Sequence, residues 1–163
     1  PDEPRLRRVV REAGVAIVGA GPRLAPADRR LYAIRDVTAT VDCEPLICAS
    51  ILSKKLAAGI DALVLDVKVG NGAVMPSLAD ARALATALAD TARGAGLRCA
   101  ALLTGMQQPL ARSAGNALEV AEAVAMLRGE PADPRLLEVT LALGARLLVL
   151  GGVAADGMAA RSR

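Results

Sequence analysis

The chain contains no phenylalanine, no tryptophan and no histidine, and Tyr32 is its single aromatic residue. An aromatic stacking platform for bases is therefore missing, and there is no long basic run, so a nucleic-acid partner is not expected. A core without large rings has to be built from Leu, Val, Ile and Ala, which favours Ala-rich helices packed on an aliphatic sheet. No apolar run approaches the roughly 20 residues needed to cross a bilayer, and no charged-then-apolar leader opens the chain. A soluble, cytoplasmic protein with no membrane partner is the expectation. The three cysteines, Cys43, Cys48 and Cys99, are an odd number at spacings that fit no zinc site, so reduced structural thiols are expected. Charge of either sign is not concentrated: 20 Lys and Arg against 17 Asp and Glu are mixed along the chain, giving a net +3 and a largely solvated polar surface. The start at Pro1 instead of Met, together with the missing histidine, points to a piece of a longer protein.

What is present is 163 residues, 53% of them apolar, enough for one substantial core and about one to one and a half domains. Apolar periodicity predicts helices over Pro4–Ala13, Pro26–Arg35, Glu44–Ala58, Leu78–Arg93, Asn116–Leu127 and Pro134–Leu150. Short apolar runs predict strands at Val15–Val18, Ala62–Val69 and Leu97–Leu103, the second of them buried on both faces. Strands alternating with helices of this length define an α/β fold with a largely parallel sheet flanked by helices.

The stretch VAIVGAGPRL, residues 15–24, imitates the strand and glycine turn of a dinucleotide fold. The position of the third glycine is Leu24, and Pro22 and Pro26 stop a helix from starting inside the turn. Without that helix N-terminus the pyrophosphate has no amide cradle. No nicotinamide or flavin cofactor is expected, and Gly19–Pro26 reads as a linker.

Residues 31–75, LYAIRDVTATVDCEPLICASILSKKLAAGIDALVLDVKVGNGAVM, resemble the thymidine phosphorylase and pyrimidine-nucleoside phosphorylase family without a gap. The resemblance continues through GVAIVGAGPRLAPADRR before them and GAGLRCAALLTGMQQPLARSAGNALEVAEAV after them, covering nearly the whole chain. It implies a pentosyltransferase that splits thymidine with phosphate into thymine and 2-deoxyribose 1-phosphate, phosphate being a co-substrate and no cofactor being required. A broader enzyme accepting uridine, or an inactive truncated chain, are the alternatives.

Within the matched stretch, Ser50 and Lys54 stand i, i+4 on one helix, and Arg35 ends the helix before it. A guanidinium, a hydroxyl and an ammonium suit the acceptor, donor, acceptor edge formed by O4, N3–H and O2 of a pyrimidine. By the resemblance these three bind the base, with Arg35 and Lys54 as catalytic groups, Tyr32 alongside, and Val41 and Ile47 as apolar wall. Cations aimed at a leaving base gain strength as negative charge spreads over it, which lowers the barrier. Lys55, about 100° further round the helix, is expected to pair with an acid such as Asp36.

Two departures stand out. Val74 takes a place where the family commonly has Phe, which implies a looser wall for the base. The family's phosphate-binding glycine-rich loop and its Lys-His-Ser segment would lie N-terminal to this chain, so no phosphate-binding residue is expected in it and the isolated chain is expected to be inactive. The resemblance further implies a structural monovalent cation near Leu110, Ser113 and Glu122, and a homodimer. It also implies a division into 1–26 (part of the α/β domain and linker), 27–58 (a segment of a small helical, dimerising and base-binding domain) and 59–163 (α/β domain, C-terminally incomplete).

Overall fold

The computed structural model describes residues 3–17, 21 and 24–162 of the chain. Among these, the elements follow in the order α1 (Glu3–Ala13), α2 (Pro26–Thr38), α3 (Glu44–Ala57), β1 (Ala62–Val69), α4 (Leu78–Gly94), β2 (Arg98–Gly105), α5 (Asn116–Leu127), α6 (Pro134–Leu150) and α7 (Gly157–Arg161). The two strands run parallel, in register from Ala62 opposite Arg98 to Val69 opposite Gly105. The mixed α/β class expected from the sequence is therefore borne out.

Parallel neighbours require a crossover, and α4 supplies it. Its start is fixed by Ser77, whose hydroxyl accepts the Asp80 N–H at 3.1 Å, while Asp80 puts a carboxylate in the first turn. Ala81, Leu84, Ala85, Leu88, Ala89 and Ala92 repeat at helical spacing and are all buried, forming the stripe that lies on the sheet. Leu88 is 1% exposed, and burying one such side chain contributes about 1.5–3 kcal/mol. Leu63 and Val67 from β1, Cys99 from β2, and Cys48 and Leu52 from α3 complete the core. That is how α3 comes to lie against α4. At the other end α6 packs on both strands, and Arg98 at the start of β2 donates to the Leu150 carbonyl at 2.7 Å.

Several expectations need correction. Val15, Ala16 and Ile17 form no strand: Ile17 is 100% exposed, and no described strand lies beside them to take their backbone hydrogen bonds. Val18 lies outside the described residues, as do Gly19, Ala20, Pro22 and Arg23 of the expected linker. Strand β1 is not buried on both faces. Leu63 and Val67 face the core, whereas Asp66 and Lys68 stand on the opposite side of the pleat and interact with each other. Helix α2 runs on past Arg35 to Thr38 and is closed by Ala39 in the left-handed region, φ 52°, its N–H reaching the Arg35 carbonyl. The short α7 escaped the periodicity reading because it is one turn long. Asp156 caps it, and Arg161 ties it to Glu138 of α6 at 2.7 Å.

The three cysteines are free. Burial pushes up the thiols of Cys48, aided by the charge of Glu44, and of Cys99, so both behave as small apolar core residues. Among the described residues no helix is long and apolar enough to cross a membrane.

Candidate functional site

Arg35 sits in the last turn of α2, and its side chain is 4% exposed. The chain leaving α2 curls around it. The guanidinium donates from Nε to the Thr40 carbonyl at 3.2 Å, from Nη1 to the Leu46 carbonyl at 3.1 Å, and from Nη2 to the Val41 carbonyl. Among the described residues no carboxylate forms an ion pair with this buried cation, which is solvated by main-chain dipoles. These bonds use three of the five N–H groups that a guanidinium offers. Tyr32, one turn earlier on α2, places its ring 5.4 Å from the guanidinium carbon, within cation–π reach.

Ser50 and Lys54 share a face of α3. Lys54 Nζ lies 2.9 Å from Ser50 Oγ and 2.7 Å from the Ser50 carbonyl. It also lies 2.5 Å from the carboxylate of Asp28, in the first turn of α2. Asp28 is 9% exposed. Its burial acts to raise the pKa. The hydrogen bonds from Lys54 and Ser50, together with the charges of Lys54 and Arg35, outweigh that and hold the carboxyl below its ordinary value. An ionised Asp28 therefore fastens the start of α2 to the last turn of α3.

The same network sets the polarity of the serine hydroxyl. Its oxygen accepts from the Lys54 ammonium, which occupies one lone pair. The second lone pair remains as an acceptor.

Tyr32, Arg35, Val41, Ile47, Ser50 and Val74 line one cavity of about 330 Å³, floored by Leu65 and Val67 of β1. This is the lower end of the size range of small-molecule sites. Val74 is 61% exposed and stands at the mouth. Lys54 does not line this cavity; its ammonium stands behind Ser50, between the hydroxyl and Asp28. Lys55 is exposed and forms no ion pair with Asp36 among the described residues, the acid that α3 uses being Asp28 instead.

A second cavity, about 700 Å³, is lined by Leu110, Ser113 and Glu122 among others. Ser113 donates its proton to Glu122 at 2.6 Å, and the Arg112 N–H reaches the other carboxylate oxygen at 3.4 Å. The hydroxyl oxygen and the carboxylate are hard donors of the kind a monovalent or calcium-like cation takes. No group of three or more His, Cys, Asp or Glu side chains able to hold a metal ion occurs among the described residues.

Two features escaped the sequence reading. One is Asp28, an acid whose partner lies on a different helix, so no periodicity relates the two. The other is a polar cluster on the sheet: Lys68 Nζ lies 2.6 Å from Asp66 and 2.9 Å from the Thr104 hydroxyl, which donates in turn to Asp66. The register that puts Thr104 opposite Lys68 was the missing information.

The chain is thus a mixed α/β domain of parallel strands with a small-ligand cavity lined by α2, α3, β1 and α4. The chain belongs to the glycosyl transferase family, a/b domain, whose family model matches residues 1–163. That membership supports chemistry of the phosphorylase or pentosyltransferase type.

Proposed function

We propose that this chain carries the pyrimidine-binding half of a nucleoside phosphorylase, with thymidine as the leading substrate and uridine as the alternative. The observation that carries the reading is the Ser50 hydroxyl, held by Lys54 and set beside Arg35 in one cavity. Ser50 presents an acceptor to N3–H, and the two uncommitted N–H groups of Arg35 donate to a neighbouring carbonyl oxygen of the base. Tyr32, Val41, Ile47 and Val74 enclose the ring. Val74 leaves more room at the mouth than a larger side chain would.

In the reaction phosphate attacks C1′ of the pentose, the C1′–N1 bond breaks, and its electron pair passes to the base, spreading over N1, O2 and O4. Arg35 bonds that growing charge directly. Lys54 acts through Ser50, whose acceptor polarity it maintains, and through its own charge close behind the cavity. Donors already in place when charge appears need no reorganisation, and each is typically worth on the order of 10²–10³ in rate. No residue of this chain is assigned to phosphate. Leu110, Ser113 and Glu122 would hold a structural cation, which orders the loop before α5 without entering the chemistry.

The same reading divides the chain as its family resemblance implies: 27–58 as the helical, base-binding segment and the flanking 1–26 and 59–163 as the α/β part. Leu31, Ile34 and Val37 of α2 are exposed apolar side chains suited to a homodimer contact. A cytoplasmic location agrees with the free thiols.

The test is phosphate-dependent release of free base by the native protein from thymidine, uridine and AMP, followed by chromatography. Release from thymidine or uridine and none from AMP is expected. If neither pyrimidine nucleoside is cleaved while AMP is, the base assignment is wrong.

A further inference from the structure

Among the described residues, Lys68 alone lines both the base cavity and the larger cavity beside it. It stands near the C-terminal end of β1, the edge of a parallel sheet where ligands of α/β proteins settle. Its ammonium has three N–H donors. One goes to Asp66 at 2.6 Å and one to the Thr104 hydroxyl at 2.9 Å, and Thr104 closes the cluster by donating to Asp66. The third N–H has no partner among the described residues. The ammonium is thus held by two partners, on a residue that lines both cavities.

A base seated over Leu65 and Val67 must leave its N1 substituent pointing out of the first cavity, and Lys68 marks the passage into the second. What lies beyond it is chemically specific. The amides of Asn71 and Gln107 line that second cavity, and so do the carboxylates of Glu119 and Glu122, with Lys68 as the only cation among the described lining residues. Asp66 already balances that cation. Such an amide- and hydroxyl-bearing surface, whose lysine is already balanced, suits a neutral polyol, whose hydroxyls both donate and accept.

Resting on the function proposed above, we infer that Lys68 is a binding residue for the pentose of the nucleoside. It donates its free N–H to a sugar oxygen and so fixes where C1′ stands relative to the base. Asp66 and Thr104 are positioning residues that hold the ammonium there.

The experiment is equilibrium binding by calorimetry, without turnover, of three probes to the native protein: free thymine, thymidine and inorganic phosphate. In Lys68→Met, thymidine affinity should fall by about tenfold, the range of one lost charged hydrogen bond, while thymine and phosphate affinities stay within about twofold. Thr104→Val, which keeps the lysine and the side-chain shape, should give a smaller loss in the same direction, and it stands in if the lysine variant does not fold. Equal losses for thymine and thymidine would show a general packing role and overturn the inference. So would a selective loss of phosphate, or no change in any probe. A wild-type protein that binds thymine while Lys68→Met leaves thymidine untouched removes only this inference. A wild-type protein that binds neither pyrimidine removes the functional reading beneath it as well.

Discussion

Two clusters in this molecule have the same chemical composition and different architecture. Lys54, Asp28 and Ser50 form one; Lys68, Asp66 and Thr104 form the other. In each, the lysine reaches both a carboxylate and a hydroxyl, and in the sheet cluster the hydroxyl also donates to the carboxylate. The first joins two helices across tertiary space. The second is assembled within the sheet, from residues i and i+2 of β1 and the cross-strand neighbour of Lys68. Identical groups therefore do different work: the helix cluster decides how α2 sits on α3, while the sheet cluster rests on a frame that exists without it.

The largest expected effect comes from discharging the helix cluster. Asp28→Asn keeps the shape but leaves the Lys54 ammonium without its counter-ion. Removing one partner of a fully buried pair costs about 3–5 kcal/mol. Because the Lys54 side chain is 35% exposed, about 1–3 kcal/mol is expected by chemical denaturation. Phosphorolysis by the native enzyme should fall by about 10²-fold. Asp66→Asn should lower stability by less than about 1 kcal/mol. If the two variants are equally destabilised, the contrast between the clusters fails.

Acidification sharpens the same point. The carboxyl of Asp28 titrates lower in the folded chain than in the unfolded one. Its contribution is therefore complete above the ordinary carboxylate pKa and is lost as pH drops from there through the depressed folded value. Wild-type stability measured against pH should show that acid limb, and Asp28→Asn should lack it. An unchanged limb in the variant would assign the acid loss to other carboxylates.

How much of this could be read beforehand follows the same division. Helix and strand segments were legible wherever the pattern was local: the Ala/Leu stripe of α4, the apolar run of β1, the proline-started α2, α3 and α6. Ser50 next to Lys54 was legible because i, i+4 spacing alone brings them together. The partner of Lys54 was not, since the acid opposite α3 depends on how α2 packs, and the nearby Asp36 misled. Val15–Ile17 misled in the other direction, because a β-branched run states a preference and not whether a neighbouring strand is there to satisfy it. The three carbonyls around Arg35 were also out of reach, because main-chain acceptors carry no residue signature.

The hydroxyls provide a finer comparison. Ser50→Ala removes the acceptor proposed for N3–H and should reduce kcat/KM for thymidine by about 10–100-fold with a small change in stability. Thr104→Ala leaves Lys68 paired to Asp66 and should reduce it by less than about tenfold. Steady-state kinetics on both variants measure the ratio. A larger loss in Thr104→Ala would place the more demanding contact on the sheet side.

The smallest effect expected concerns the turn that only the helix side needs. Ala39 occupies the left-handed region, φ 52° and ψ 40°, immediately before Thr40 and Val41, whose carbonyls hold Arg35. A residue with a Cβ is disfavoured there by about 1–2 kcal/mol, whereas glycine is not. Glycine also loses more chain entropy on folding, by about 0.5–1 kcal/mol. The two terms partly offset, leaving Ala39→Gly more stable by roughly 0–1.5 kcal/mol by chemical denaturation. If the turn is imposed by the Arg35 bonds, thymine affinity should be unchanged in this variant, because the carbonyls remain where the guanidinium draws them. A stable variant with weakened thymine binding would show instead that the alanine methyl group, and not the arginine, keeps the loop in place.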